Sequence, residues 1–227
     1  MERIELFENT WCFDEGGVRF FLLTGTERAI LIDSGMQTKN AKELAMEVTE
    51  LPISLINTHA DPDHCGSNGE FDEFYMNPAE AVNLYSRPGA AGKILPVDDK
   101  DTLDLGGRVL MIIATPGHTP GSIAILDENS GALFSGDPIQ DGNIFMFGPY
   151  RNMQAYILSI EKVEGLGDKI KTIYPSHGSL TVPKEILPKL KKGALDILDG
   201  KVEAKQVDMF GKAVNLYKTE AAGFLCQ

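Results

Sequence analysis

All four histidines of this chain lie in short segments with metal-ligand character. His59 and His64 belong to Thr58-His59-Ala60-Asp61-Pro62-Asp63-His64-Cys65-Gly66. His118 lies in Thr115-Pro116-Gly117-His118-Thr119-Pro120-Gly121-Ser122, and His177 in Tyr174-Pro175-Ser176-His177-Gly178. Imidazole is the commonest protein ligand of catalytic metals. His59, Asp61, Asp63 and His64 crowd candidate donors into one short stretch. A helix would scatter them around its circumference, whereas a loop leaving a strand can aim several into one cavity. Asp137, in Ser135-Gly136-Asp137 after an apolar run, adds a carboxylate. The pattern is that of a metalloenzyme.

The elements that must hold these residues are legible as apolar runs. Residues 18–24 and 28–33 read as a hairpin around Gly25-Thr26-Glu27, the second strand ending at Asp33. A helix is expected over 38–49, with Ala41, Leu44, Ala45 and Val48 on one face. Residues 53–57 form a buried strand that ends just before His59. A helix is expected at 78–86, and a Pro/Gly-rich loop at 88–96. Strands are expected at 108–114, 122–127 and 132–135, followed by a long loop over 137–150. A helix at 152–163, a strand at 170–174 and a helix at 184–198 complete the pattern, with Pro188 tolerable only in a first turn. Two similar halves, each placing ligands at strand ends, imply two packed sheets with helices outside. Residues 1–199 read as one domain. The extension 200–227 reads as a hairpin around Phe210-Gly211-Lys212 that caps the core, covers the site or adds to a neighbouring subunit.

Composition excludes other classes. Of 227 residues, 43% are hydrophobic, enough for a sizeable core, and the net charge of −12 argues against a nucleic-acid binder. The three cysteines, Cys12, Cys65 and Cys226, are odd in number and widely spaced, which suggests no disulfide framework and a reducing compartment. Met1-Glu2-Arg3-Ile4-Glu5 lacks the basic start of a signal peptide, and no apolar run of about 18 residues occurs. A cytoplasmic protein with a small-molecule substrate is expected, with no membrane or nucleic-acid partner and with a homodimer as a candidate assembly.

Read in order, a strand-end Asp (Asp33), an HxHxDH-type segment (59–64), a lone His (His118), a strand-end Asp (Asp137) and a late His (His177) resemble the metallo-β-lactamase-fold superfamily. The resemblance spans about residues 15–180. It implies an α/β fold, a four-layer αββα sandwich with the site at one edge of the two sheets. It also implies two divalent metal ions. One would be held by His59, Asp61 and His118, the other by Asp63, His64 and His177, with Asp137 between them. Asp33 would orient the ligand loop.

One departure matters. The family's usual second histidine is Asp61 here. Aspartate can still ligate, and oxygen-rich ligation moves preference from zinc, the first expectation, towards iron or manganese. It also lowers the charge of the loaded site, softening the Lewis acid.

The implied reaction is hydrolysis of a small ester, thioester or lactone by a metal-bridging hydroxide, with Asp63 as proton acceptor. Tyr150 and Arg151 are candidate substrate contacts, and Phe145 and Phe147 candidate pocket walls. Cys65 reads as a small buried residue beside the ligands. The alternatives are an iron-dependent redox enzyme, as the flavodiiron branch with its Glu at this place suggests, and a non-catalytic metal-binding module. Against the first, the roughly 50 residues after His177 are too few for a flavin domain.

Overall fold

The computed structural model describes residues 1–227. Its first half lays down seven strands in chain order as one sheet. These are β1 (Glu2–Phe7), β2 (Thr10–Asp14), β3 (Arg19–Thr24), β4 (Ala29–Ile32), β5 (Ile53–Ile56), β6 (Glu73–Met76) and β7 (Lys93–Pro96). The strands from β1 to β4 pair antiparallel, those from β4 to β7 parallel. Two short helices, α1 (Ala41–Met46) and α2 (Ala81–Tyr85), occupy the parallel crossovers.

The second sheet contains β8 (Thr102–Asp104), β9 (Val109–Ala114), β10 (Ile123–Asp127), β11 (Ala132–Gly136) and β13 (Thr172–Pro175). The helices α3 (Met153–Glu164) and α4 (Ile186–Leu198) pack on its outer face. Pro188 falls in the first turn of α4, where its missing N–H removes no helical bond.

Both sheets are covered on both faces, so their central strands are apolar at nearly every position. In β3 the side chains alternate between two cores. Phe21 and Leu23 pack inward with Ile112, Ile125 and Phe134 of the second sheet. Phe20 and Leu22 pack outward with Ala41, Ala45 and Leu84 of α1 and α2. Likewise Ile123 and Ile125 of β10 face the first sheet, while Ala124 and Leu126 face Tyr156, Ile160 and Leu190 of α3 and α4. The expected helix–sheet–sheet–helix layering is present.

The structure corrects the expected elements in several places. A third sheet, β12-β16-β15-β14, is present, built from β12 (Asn143–Met146), β14 (Ala204–Met209), β15 (Lys212–Lys218) and β16 (Gly223–Cys226). The supposed loop 137–150 contains β12 because that strand pairs with β16, about 80 residues away, in parallel. No local periodicity carries such a pairing. The supposed loop 88–96 contains β7, an edge strand whose Pro96 is tolerable because only β6 is beside it. The hairpin β1–β2 lies ahead of the first expected strand, and the expected helix 38–49 contracts to α1.

The tail meets the rest of the chain in two places. Phe224 and Ala222 are buried in the outer core, with the Phe224 ring 5.6 Å from that of Tyr156 in an edge-on arrangement. The tip of the β14–β15 hairpin carries Phe210 to the rim of the main cavity.

Candidate metal centre

Strand ends deliver the donors. The loop after β5 makes a single 3-10 turn over Pro62–His64, with Pro62 at its first position and Asp61 before it. This places His59 and Asp61 on one side of the turn and Asp63 and His64 on the other. Asp33, just past β4, holds the loop in place. Its Oδ1 accepts the Thr58 backbone N–H at 2.7 Å; its Oδ2 accepts the Thr58 hydroxyl at 2.8 Å and His64 Nδ1 at 2.7 Å. The left-handed backbone at Asp33 (φ 63°) turns the chain sharply at that point. These three bonds tie Asp33 to the loop that carries His59 and His64.

His118 sits between β9 and β10 in a loop that presses on α3. Gly117 has φ 138°, and a Cβ there would lie 2.4 Å from the Tyr156 backbone nitrogen, so glycine permits the approach. His177 follows β13. Its loop is gripped by Arg19, which donates to the carbonyls of Gly178 (2.5 Å) and Ser179 (3.2 Å) while pairing with Asp14 (2.8 Å).

The four imidazoles share one orientation. Each places Nδ1 against an oxygen: Thr58 Oγ1 for His59 (3.0 Å), Asp33 Oδ2 for His64 (2.7 Å), the Phe145 carbonyl for His118 (2.8 Å) and the Gly17 carbonyl for His177 (2.6 Å). The Thr58 hydroxyl already donates to Asp33, so it accepts from His59. With every Nδ1 as donor, a neutral ring has a bare lone pair on Nε2.

Those Nε2 atoms converge. The nitrogens of His59 and His118 lie 3.3 Å apart, with Asp61 Oδ2 at 3.6 and 3.3 Å from them. Around the second group, His177 Nε2 lies 3.2 Å from Asp63 Oδ2, and His64 Nε2 lies 3.7 Å from the same oxygen. Asp137 spans both groups. Its Oδ1 is 3.1 Å from His64 Nε2 and 3.3 Å from His177 Nε2, and its Oδ2 is 3.5 Å from His118 Nε2. His64 Nε2 and Asp137 Oδ1 are buried, yet neither makes a well-formed hydrogen bond. Lone pairs gathered this closely repel unless a cation lies among them, and two nitrogen–carboxylate sets suit divalent ions.

The electrostatics agree. Burial opposes ionisation of Asp61, but hydrogen bonding and charge from His118 and His59 outweigh it and hold the carboxyl far below its usual range. Asp137 is likewise held low against burial by His177 and His64. Burial would lower His177, but Asp137 and Asp63 raise it to about 10. His64 is raised by Asp137, Asp33 and Asp63 against its own burial.

The remaining expected residues separate. Cys65 belongs to neither donor group; its Sγ lies 3.7 Å from the His59 carbonyl oxygen, and burial pushes its thiol up to about 12. It is a packed side chain and a poor ligand. Tyr150 is 63% exposed and lines a side recess with Val82 and Pro120 instead of the metal cavity. Arg151 lines that recess as well. Arg151 does reach the cavity, but its Nη2 lies 2.5 Å from Asp61 Oδ2.

Sequence reasoning missed Glu80. It is fully buried; its Oε2 accepts the Ala60 N–H at 2.8 Å and its Oε1 the Gly121 N–H at 2.8 Å, tying the His59 loop to the His118 loop. In Asn77-Pro78-Ala79-Glu80 it reads as an ordinary first-turn acid.

Fold and site together define a metal-dependent hydrolase. The sequence matches the metallo-beta-lactamase superfamily over residues 14–177, and the chain belongs to that family. It is similar to the acyl-coenzyme A thioesterase MBLAC2 of Gallus gallus, 27% identical over 206 residues, covering 73% of this chain and 74% of that protein. The hydroxyacylglutathione hydrolase of Photobacterium profundum is 32% identical over 151 residues, covering 65% of this chain and 56% of that protein. Among solved structures, a metallo-beta-lactamase from Pontibacter korlensis superposes with a TM-score of 0.71 at 18% identity, covering 84% of this chain and 98% of that one. A metallo-beta-lactamase family protein from Thermus thermophilus gives 0.71 at 19% identity, covering 88% and 85%. These two likenesses bear on fold alone.

Two outcomes follow from this geometry. Replacing Glu80 with Ala leaves two buried N–H groups without an acceptor and lowers stability by about 2–4 kcal/mol in urea denaturation. In metal-free protein, the raised His177 pKa gives stability that is complete below its ordinary value of 6.5 and is lost as pH rises through about 10. The melting temperature measured in chelator should therefore fall between those limits, and a flat or rising profile would contradict the proton-holding cluster.

Proposed function

We propose that the chain is a dinuclear hydrolase of thioesters whose acyl group is apolar. The observation that carries the reading is Asp137, which turns one carboxylate oxygen to each donor set at the floor of a cavity with an aromatic wall. His59, Asp61 and His118 would hold one metal ion, and Asp63, His64 and His177 the other, with Asp137 shared. Two divalent ions bound there supply a water of lowered pKa and Lewis acidity for the attacked carbonyl. Zinc, iron and manganese all suit this mixed donor set.

The chain's own residues do the rest. Asp63 is among the more exposed of the donors and lines the cavity, so it can take a proton from the attacking water and pass it to the leaving thiolate or to solvent. The cavity, about 470 Å³, is lined on one side by Met36, Phe145, Phe147 and Phe210. Arg151 is its only Arg or Lys side chain, and that residue is already paired. Such a wall suits an acyl chain better than a polyanion. Similarity to an acyl-coenzyme A thioesterase and a hydroxyacylglutathione hydrolase supports the thioester class.

Phe210 fits this reading. It is 83% exposed at the tip of a two-residue hairpin, with φ 55°, and Gly211 follows at φ 75°. Positive φ at both central positions is the type I′ geometry, in which a large side chain is rare. Its ring lies 6.4 Å from that of Phe145.

The test is a panel of short- and long-chain acyl thioesters, lactones and phosphodiesters, run after metal analysis. Activity confined to phosphodiesters or lactones would sink the thioester reading. Replacing Phe210 with Ser should raise KM for long-chain acyl thioesters about tenfold and leave the two-carbon thioester unchanged. Replacing Asp63 with Asn should lower kcat by about 10²–10⁴-fold.

A further inference from the structure

The two donor sets differ in one respect that the ligand pattern does not reveal. Around Asp63 and Asp137 the only cationic partners are histidines. Asp61 is different. The oxygen that faces His59 and His118, Oδ2, is the one that accepts from the Arg151 guanidinium at 2.5 Å. Its other oxygen, Oδ1, accepts from Asn83 Nδ2 at 3.1 Å. The carboxylate is held at both ends and cannot rotate to offer a free oxygen.

The hold is built into the framework. Asn83 belongs to α2. Arg151 precedes Asn152, whose backbone N–H donates to the Gly117 carbonyl at 2.8 Å and whose side chain caps α3 through the Ala155 N–H at 2.9 Å. The same contact that seats the His118 loop therefore sets Arg151 beside Asp61.

We propose that Arg151 is a resident counter-cation of the His59/Asp61/His118 set, so that the two metal sites fill in order: the Asp63/His64/His177 set with Asp137 first and tightly, the Arg151-paired set second and weakly. A carboxylate oxygen has two lone pairs and can accept from Arg151 while bonding a metal. The guanidinium nevertheless repels an incoming divalent cation and draws charge from the donor oxygen. Arg151 keeps its charge at every relevant pH, so the competition is permanent. An ion at the first-filled set alone would still be held by Asp63, the carboxylate assigned to proton transfer.

The inference rests on the ligand assignment proposed above, and the experiment separates the two. Metal-free protein is titrated with zinc against a chromophoric chelator, and separately with cobalt(II), whose visible absorption reports the coordination of each ion as it binds. Wild-type protein should show two steps at least about tenfold apart in affinity, a gap of the size an unshielded counter-charge produces. Replacing Arg151 with Gln should tighten the weaker step about tenfold or more and leave the tighter one unchanged. Replacing Arg151 with Lys, which keeps the charge, should keep most of the gap. Replacing His118 with Ala should abolish the weaker step only.

Two equal steps in the wild type would overturn the proposal. So would a looser second step in Arg151→Gln, which would make Arg151 an aid to ligation, as orienting partners usually are. If His118→Ala leaves both steps intact, the ligand map itself is wrong, whatever Arg151 does. Melting temperatures of all variants confirm that folded protein is compared.

Discussion

Four imidazole nitrogens with bare lone pairs are held within a few ångströms of three carboxylates, and the rest of the structure exists to keep them there. The arrangement is unfavourable without positive charge in its midst. Protons serve in part, which is why His64 and His177 are pushed to hold them. A cation of higher charge serves better. The framework resists the tendency of these groups to separate by locking each Nδ1 to an oxygen. Three of those oxygens belong to backbone or side chains outside the ligand segments: the Phe145 and Gly17 carbonyls and the Asp33 carboxylate.

The histidine segments were legible from sequence because their chemistry is local. Four donors after a buried strand, a lone histidine between glycines and an aspartate ending an apolar run need no partner to be recognised. Asp61 stood out as a departure, but its consequence did not, since Arg151 lies 90 residues away and meets it only through the Gly117–Asn152 contact. Glu80 was hidden for the opposite reason. Its place after a proline has a common explanation, and only burial between two loops gives it a second role. Layering was legible from the apolar strands. The third sheet was not, because β12 is a strand by virtue of β16 alone.

The aromatic wall shows how a fold can recruit distant segments to one surface. Phe145 and Phe147 flank the end of β12, Met36 follows the sharp turn at Asp33, and Phe210 comes from a hairpin near the end of the chain. Pairing of β12 with β16 brings the first and the last of these together, and the same β16 buries Phe224 against α3. Core stability and the shape of the cavity thus share one strand.

The donors of each candidate ion come from both large sheets. His59, Asp61, Asp63 and His64 leave the first; His118, Asp137 and His177 leave the second. A bound ion is therefore a rivet across the sandwich, and its affinity includes whatever free energy is needed to bring the two sheets into register. A repacking substitution deep between them, at Phe21 or Phe134, touches no ligand yet changes the separation the rivet must span. Loss of metal in such a variant is a measure of sheet closure rather than of ligand chemistry.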